Sequence, residues 1–358
     1  MKPSRLLLYC RAGFERECAQ ELTAAANAMG VEGFVKARPE SAFAVFQPHQ
    51  DDMGVELAKH LEFERLVFPR QLVRVGDALT LQEADRVAPI VVAARDLGRA
   101  FNGLFIEMPD TNDGKALSAL TRPLTAHLER GLRKAGVDFE DANAGERLHV
   151  FFVGSLACYV GVSDVAHSSR WPMGIPRFRM PRDAPSRSTL KLAEAIDEFI
   201  DEKGRAKRMA PGMTAVDLGA SPGGWSWQLM KHGLMVIAVD NGAIDQALLD
   251  SGQVKHRRDD GFHFTPAEPV DWMVCDMVES PSRIAHLASK WIAQGWCRES
   301  IFNLKLPMKK RYEEVERCRG IIDEALGGGG YYLRMKQLYH DREEITAILS
   351  RQRKAALR

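Results

Sequence analysis

The stretch AVDLGASPGGWSWQLM, from Ala215 to Met230, constrains the fold more than any other part of the chain. An apolar run that contains Asp217 gives way to small and turn-forming residues, and an aromatic-rich helical pattern follows. A strand, a glycine-rich turn and a helix in this order are typical of ligand sites in open α/β sheets, because glycine lets a ligand approach the backbone. The stretch therefore predicts a ligand at the carboxyl end of a parallel strand.

The sequence that surrounds this stretch alternates regularly between strand and helix patterns. From residue 186 onward it carries seven strand-like runs, and helical runs separate all of the long ones except the final two. This order predicts an α/β Rossmann-like domain with a mostly parallel seven-stranded sheet and helices on both faces. Since no helix separates the last two strands, one strand at the end should run antiparallel.

The residues before 186 divide by pattern into three further regions. Residues 1–50 and 51–166 mix helices and strands in an α+β manner, which predicts small sheets covered by helices on one face. The second region closes with HVFFVGSLACYVGV, in which Gly154 predicts a type II′ hairpin turn. Residues 167–185 form a proline-rich linker, and residues 186–358 form the Rossmann-like domain.

The linker and its C-terminal flank are basic. Trp171 and Phe178 are interleaved there with six basic residues and a single acid, Asp183; the basic residues are Arg170, Arg177, Arg179, Arg182, Arg187 and Lys191. Basic side chains can neutralise phosphates while aromatic rings stack on unpaired bases, so this segment is a candidate RNA contact. The alternative is a tether whose arginines are simply solvated.

Overall composition excludes several classes of protein. The formal net charge is +1, so the charge of the whole chain favours no particular partner. The six cysteines include no Cys-x-x-Cys pair, which argues against a zinc site and against a disulfide framework, and no metal is expected. The apolar core of the first residues is too short for a signal peptide, and no apolar run is long enough for a membrane span. These features predict a soluble cytoplasmic protein.

The turn itself indicates which ligand binds. A dinucleotide fingerprint needs a second glycine where this chain has Ser221 and Pro222, which argues against NAD and FAD. Asp217 suits a cationic amino group, and Asp240, about 20 residues after the turn, stands where an acid accepts hydrogen bonds from a ribose diol. Asp260 ends the next strand unit and could bind an adenine amino group. A nucleoside that carries a charged amino acid is S-adenosylmethionine.

The segment from Asp217 to Trp225 resembles the glycine motif of the FtsJ-like ribose 2′-O-methyltransferases, and SRSTLKL from Ser186 resembles an upstream segment of that family. The resemblance implies a Lys-Asp-Lys-Glu tetrad at Lys191, Asp276, Lys305 and Glu344. Glu343 is an alternative for the last member, because a one-residue slip exchanges the two faces of a strand. The expected cofactor-binding residues are Ser188, Asp217, Gly219, Ser221, Pro222, Gly223, Gly224, Trp225, Asp240, Asp260 and Asp276.

The positions of the tetrad are chemically sensible. Asp276 and Lys305 end the fourth and fifth apolar strands, so both should reach one crevice. A ribose 2′-hydroxyl must lose its proton as it accepts a methyl group, and Lys305 is the expected base. We expect burial and the second ammonium of Lys191 to lower the pKa of Lys305. Asp276 would orient Lys305, Lys191 would stabilise the developing alkoxide, and Glu344 would hold one of the lysines.

Base methylation is the nearest competing chemistry. Methylation of an amino group favours an Asn/Asp-Pro-Pro-Tyr/Phe segment after the fourth strand, where this chain has Asp276-Met277-Val278-Glu279. Methylation at cytosine C5 needs a nucleophilic cysteine. Cys275 is adjacent to Asp276, but alternation along a strand points it away from the crevice, so we expect it in the core.

The N-terminal half resembles THUMP-containing RNA-modifying enzymes in the segment from Tyr9 to Cys18 and in ACYVGVS from Ala157. The resemblance implies a ferredoxin-like unit at 1–50 and a THUMP-like RNA-binding region at 51–166. Together with WPMGIP and IFNLKLPMKK, the two halves resemble a bacterial family that 2′-O-methylates a cytidine in domain V of 23S rRNA, with no obligate protein partner evident. Alternatives are a ribosome-assembly factor in which methyl transfer is secondary, and a small-molecule or protein methyltransferase.

Overall fold

The computed structural model describes residues 3–351 of the 358-residue chain. Within this part of the chain the residues separate into two compact units that divide between Pro176 and Arg177. The division falls inside the predicted linker, so its first half belongs to the first unit and its second half to the second. Each unit has its own sheet.

The first unit contains one eight-stranded sheet that runs through both regions predicted before residue 166. Its strand order is β2-β3-β1-β4-β8-β7-β6, and β5 pairs with β8. Only β6 and β7 pair in parallel. The strands are β1 Arg5–Tyr9, β2 Gly33–Ala37, β3 Phe43–Pro48, β4 Gln71–Val75, β5 Leu79–Thr80, β6 Leu104–Glu107, β7 Glu146–Gly154 and β8 Ala157–Asp164.

Four α-helices accompany this sheet in the described part of the chain: α1 Glu15–Ala28, α2 Asp51–His60, α3 Val87–Leu97 and α4 Asn112–Lys134. Helix α4 starts at Asn112, because the Thr111 hydroxyl caps it by accepting from Gly114 N at 2.9 Å. The predicted turn of the β7–β8 hairpin is wrong by one position. Ser155 and Leu156 are the two turn residues, and Gly154 still belongs to β7 without positive φ.

The second unit contains a seven-stranded sheet in the order β11-β10-β9-β12-β13-β15-β14. The first five strands in this order are parallel, and β15 runs antiparallel to both of its neighbours, as predicted. The strands are β9 Thr214–Leu218, β10 Met235–Val239, β11 Val254–Arg257, β12 Val270–Cys275, β13 Cys297–Lys305, β14 Tyr331–Lys336 and β15 Glu344–Arg351.

Helices α5 Thr189–Phe199 and α6 Glu202–Arg208 precede the first strand of this sheet. Four more helices follow β9, β10, β12 and β13: α7 Gly224–Lys231, α8 Gln246–Asp250, α9 Pro281–Ala293 and α10 Arg311–Ala325. Helices α5 and α7 pack on one face of the sheet, in a cluster that includes Phe199 and Trp227 together with Trp272 and Ile301 from the strands. Helix α9 packs against α10 and β13. The predicted α/β Rossmann-like architecture with an antiparallel strand near one end is confirmed.

Among residues 3–351, no helix has both the length and the apolar character that a membrane crossing requires.

Candidate active site

The order of the strands reverses between β9 and β12 in the second unit. From β9 the chain continues outward through β10 and β11, and it then returns to place β12 on the other side of β9. In open α/β sheets ligands bind at such a switch point, beyond the carboxyl ends of the strands. The register pairs Leu218 with Cys275, so Gly219 and Asp276 leave the sheet side by side.

Two lysines and two carboxylates form a closed ring at this edge. The Nζ of Lys305 donates to Asp276 Oδ1 and to Glu344 Oε2. The Nζ of Lys191 lies 3.3 Å from Asp276 Oδ2 and forms a close ion pair with Glu344 Oε1. The structure thus brings all four predicted tetrad residues together, and each carboxylate bridges both ammonium groups.

Four different elements supply this ring. Lys191 lies in α5, Asp276 follows β12, Lys305 ends β13, and Glu344 begins β15. The side chains of Lys191 and Lys305 remain 18% and 22% exposed, whereas that of Glu344 is 7% exposed. Glu344 is therefore the deepest member of the ring, whereas Asp276, at 16%, is about as exposed as the two amines.

The charges in the ring control the protonation of Lys305. Burial acts to lower the pKa of Lys305, but the charges of Asp276 and Glu344 and their hydrogen bonds act in the opposite direction and prevail. The pKa of Lys305 therefore lies above its ordinary value. The prediction that burial and Lys191 together lower this pKa is wrong. Two carboxylates, Asp276 and Glu344, contact the amine of Lys305, and they outweigh burial and the single neighbouring ammonium of Lys191.

The strand register distinguishes Glu344 from Glu343. In the antiparallel ladder of β13 and β15, Lys305 is directly opposite Glu344. Glu343 precedes the strand, its side chain is 61% exposed, and it accepts a hydrogen bond from Arg311 Nη2 at 2.6 Å. Glu344 is thus the ring member in this structure.

The glycine-rich turn between β9 and α7 is tightly packed. Gly219 has a φ of 78°, and a Cβ there would lie 2.4 Å from Met277 Cγ. A Cβ at Gly224 would lie 2.2 Å from Ser188 Oγ, so the predicted Ser188 stands against the start of α7. The turn also contains Gly223 in the left-handed region and the predicted residues Ser221, Pro222 and Trp225. Only glycine allows the chain to pass this closely.

Besides Asp276 in the ring, the three other predicted cofactor acids lie in different environments. Asp240 accepts from the backbone N–H of Ser221 at 3.0 Å, so it contacts the glycine-rich turn directly. Asp217 is 1% exposed and accepts from Ser226 Oγ in α7 at 2.7 Å. Asp260 is half exposed and accepts from the backbone N–H of Phe262 at 2.8 Å, and this hydrogen bond lowers the pKa of its carboxyl group.

The electrostatics of Asp217 connect the turn to the ring. Burial raises the pKa of Asp217 to about 7, the hydrogen bond from Ser226 partly opposes this rise, and the negative charges of Asp276 and Asp240 add to it. The group therefore lies close enough to both carboxylates to sense them. A buried carboxyl that titrates near neutral pH is a feature of functional sites.

Cys275 occupies the core, as predicted. It is fully buried, and burial raises the pKa of its thiol to about 12. A thiol in this state is not a nucleophile at neutral pH, so the cysteine chemistry of C5 methylation has no support at this position.

Sequence reasoning missed a set of residues that contact the predicted site. Met277 packs against the glycine-rich turn and also against Gly261, where a Cβ would lie 2.9 Å from its Sδ. Asn303 donates to Asp276 Oδ1 at 2.9 Å from inside β13. The available signal was a polar residue within the apolar run IFNLKL, two positions before Lys305 and so on the same face.

Most of the chain is similar to known protein families. Three family models match successive parts of the chain: the RlmM ferredoxin-like domain at 3–73, the N-terminal part of ribosomal RNA large subunit methyltransferase M at 85–164, and the FtsJ-like methyltransferase at 184–306. The ribosomal RNA large subunit methyltransferase M of Methylococcus capsulatus is 50% identical over 353 residues, which cover 97% of this chain and 98% of the relative. The chain belongs to this family.

Other members of the ribosomal RNA large subunit methyltransferase M family also align with this chain over almost their whole length. The relative from Haemophilus influenzae is 48% identical over 359 residues, covering 97% of this chain and 99% of its own length. The relative from Marinomonas is 46% identical over 346 residues, covering 96% and 98%. Family membership confirms the resemblance seen in both halves of the sequence, and the second unit is the methyltransferase domain.

The crowding at Gly219 predicts a specific loss of stability. Gly219→Ala should cost about 1–3 kcal/mol more than Gly212→Ala, because both replacements strain the backbone but only the first collides with Met277. Gly212 is the matched control, since its φ is 86° and nothing lies within 4 Å of a Cβ placed there. Denaturant unfolding of the three proteins measures the difference. Equal losses in the two variants would contradict the collision.

Asp217 predicts a pH-dependent contribution to stability. Its pKa is about 7 in the folded protein, against an ordinary value of 3.8 that applies to the unfolded chain. The folded state thus favours the neutral acid, and this stabilisation is complete below pH 3.8 and is lost as the pH rises to 7. In the Asp217→Asn variant no such loss occurs, so its stability relative to the parent should increase across this window by up to about 1.4 kcal/mol per pH unit.

Chemical denaturation at a series of pH values gives the two stability curves for Asp217→Asn and the parent. Asp250→Asn, at the exposed end of α8, corrects for the general loss of one negative charge. Parallel curves for the parent and Asp217→Asn between pH 4 and 7 would show that Asp217 is not a buried acid with a raised pKa.

Proposed function

We propose that this protein transfers a methyl group from S-adenosylmethionine to the ribose 2′-hydroxyl of a cytidine in 23S rRNA, with Lys305 as the general base. The ring of Lys191, Asp276, Lys305 and Glu344 at the switch point is the observation that carries the proposal. Membership in a family of ribosomal RNA methyltransferases supports the reaction class. The cytidine and domain V of the rRNA rest on the resemblance of the sequence.

The residues around the glycine-rich turn fit this cofactor. The turn leaves no room for a Cβ at Gly219, Asp240 is held beside it, and the indole Nε1 of Trp225 is buried with no hydrogen-bond partner among the described residues. S-adenosylmethionine would supply an electrophilic methyl group on a sulfonium. The residues assigned to holding it are Ser188, Asp217, Gly219, Ser221, Pro222, Gly223, Gly224, Trp225, Asp240, Asp260 and Asp276.

Lys305 can take the proton of the 2′-hydroxyl only in its neutral form. The two carboxylates raise the pKa of Lys305, so the neutral amine is a minority species at pH 7. An amine with a raised pKa is also a stronger proton acceptor once it is deprotonated. The reaction rate should therefore increase with pH until Lys305 has lost its proton.

The other three ring members orient Lys305 and stabilise the charge that develops on the substrate. Asp276 and Glu344 hold Lys305 from two sides and fix the direction of its Nζ. Lys191 has the remaining ammonium in the ring, and its side chain is partly exposed at the same edge. It stabilises the negative charge that develops on the 2′-oxygen as the proton leaves.

Exposed basic residues supply the RNA contacts in this proposal. Lys309 and Lys310 follow Lys305 closely and are both exposed, and so are Arg179, Arg182 and Arg187 before α5. We assign their positive charges to phosphates of the RNA. We further assign RNA capture to residues 1–166 and the methyl transfer to residues 186–358, in a cytoplasmic protein that needs no obligate protein partner.

Lys305→Met tests the assigned base. The variant keeps the aliphatic stem but removes the amine, so we expect the methyl-transfer rate to fall by about 100-fold or more while the cofactor still binds. Incorporation of tritiated methyl groups into 23S rRNA transcripts measures the rate, and calorimetry measures cofactor binding. Primer extension across 23S rRNA from cells with and without the gene locates the methylated ribose.

Lys203→Met on the exposed side of α6 is the control for the loss of one lysine, and it should keep the parental rate. Parental turnover in Lys305→Met would remove Lys305 from its role. Restoration of ribosome assembly in a gene-deletion strain by Lys305→Met, with methylation absent, would favour the assembly-factor alternative instead.

Glu344→Gln tests the electrostatic control of the base. Removal of one carboxylate takes away part of what raises the pKa of Lys305. We expect the rising limb of the single-turnover rate against pH to shift to lower pH in this variant. Glu343→Gln is the matched control, because it changes the adjacent residue, which pairs with Arg311 outside the ring. An unshifted limb in Glu344→Gln, or an equal shift in both variants, would contradict the assignment.

A further inference from the structure

A line of buried polar side chains runs from the ring into the core of the second unit. Asn303 Nδ2 donates to Asp276 Oδ1 at 2.9 Å, and Thr346 Oγ1 lies 2.8 Å from Asn303 Oδ1. Asp341 Oδ2 and Oδ1 lie 3.0 and 3.1 Å from Thr346 Oγ1. Asn303 and Thr346 are fully buried, and Asp341 is 1% exposed. Together these three residues form a buried relay.

The orientation of Asn303 follows from its neighbours. Asp276 accepts from both lysines of the ring, so it is a carboxylate and presents only acceptor oxygens. The amide nitrogen of Asn303 must therefore face Asp276, and the amide oxygen faces Thr346. The register of β13 and β15 places Asn303 opposite Thr346, two residues from the pair of Lys305 and Glu344.

The hydroxyl of Thr346 has a single proton. It lies within hydrogen-bond distance of the amide oxygen of Asn303 on one side and of the carboxyl oxygens of Asp341 on the other. If Asp341 were ionised, both neighbours would be acceptors, and one buried contact would join two oxygens with no proton between them. A proton on Asp341 satisfies both contacts, because Asp341 then donates to Thr346 and Thr346 donates to Asn303.

We propose that Asp341 is a neutral carboxylic acid that begins a directed chain of hydrogen bonds, through Thr346 and Asn303, to the carboxylate of Asp276. Asp341, Thr346 and Asn303 are positioning residues in this chain, since none of them belongs to the ring itself. The inference rests on the proposed function and extends it to the residues that support the ring.

The surroundings of Asp341 favour its neutral form. The charged groups that face it include Glu344 on β15 and Glu194 and Lys191 on α5. Burial raises the pKa of Asp341 well above its ordinary value and the two glutamates add to the rise, while the hydrogen bond from the Leu338 N–H and the charge of Lys191 oppose it only in part. The backbone N–H of Leu338 donates to Asp341 Oδ2 at 3.0 Å, which fixes the carboxyl group in the β14–β15 loop.

This chain of hydrogen bonds orients the carboxylate of Asp276 in the ring. Asp276 Oδ1 accepts from both Asn303 and Lys305, while Oδ2 faces Lys191. Asn303 therefore sets the rotation of the carboxylate, and the relay sets the orientation of Asn303. Loss of the relay should leave the charges in place but loosen the direction in which Lys305 points.

Thr346→Val tests the relay because it keeps the shape and removes the hydroxyl. We expect kcat for methyl transfer to fall by about 10- to 100-fold, with KM for RNA and Kd for S-adenosylmethionine unchanged. Thr346→Ser restores the hydroxyl and should recover most of the activity. A parental kcat in Thr346→Val, or a failure of serine to recover what valine loses, would overturn the positioning role.

Asp341→Asn distinguishes a neutral acid from a carboxylate. The asparagine amide can donate to Thr346 and accept from Leu338, as a protonated Asp341 does, so kcat should stay well above that of Thr346→Val. Asp341→Leu removes the donor and should match Thr346→Val. A carboxylate that accepts from Thr346 predicts the reverse, with asparagine as damaging as leucine, and that result would overturn the proposal.

Infrared spectroscopy tests the proton itself and does not depend on activity. The difference spectrum between the parent and Asp341→Asn at neutral pH should contain the carbonyl band of a protonated carboxylic acid, and a carboxylate band in its place would refute the neutral form. Because this readout needs no RNA, it separates the relay from the proposed function. Parental turnover in Lys305→Met would remove the proposed base and leave the infrared result intact.

Discussion

The rest of the site depends on the mutual neutralisation of two ammonium and two carboxylate groups at the edge of the second sheet. Each charge is partly removed from water, which is tolerable only with opposite charges in contact. Lys191 comes from a helix, Lys305 and Glu344 from two strands, and Asp276 directly follows a third strand, so the ring also ties together the elements that surround the crevice. Removal of any one member leaves the other three with an unbalanced charge.

Much of this arrangement could be predicted from the sequence because parallel strands end at the same edge. The alternation of strands and helices placed Asp276 and Lys305 together, and the small residues after β9 marked the turn where a ligand can approach. Lys191 lies in a helix before the first strand of the sheet, and only the family resemblance singled it out. The choice between Glu343 and Glu344 needed the register of β13 and β15, which apolar patterning leaves uncertain by one residue.

Two features could not be predicted, for physical reasons. The direction in which the pKa of Lys305 shifts depends on how many carboxylates touch its amine, and the sequence does not give that number. Asn303 and Thr346 lie inside strands, where a polar residue usually indicates a solvent-facing position, yet both are fully buried. Their partners are each other and the carboxyl groups of Asp276 and Asp341, and only the folded sheet brings these together.

The position of β15 within its sheet determines when the enzyme becomes complete during translation. This strand supplies Glu344 and lies between β13 and β14, although both precede it in the chain. A nascent chain that has emerged only as far as β14 therefore has a gap in its sheet and an incomplete set of charges. Until the segment that begins at residue 344 leaves the exit tunnel and inserts into that gap, a translating ribosome carries an incomplete enzyme.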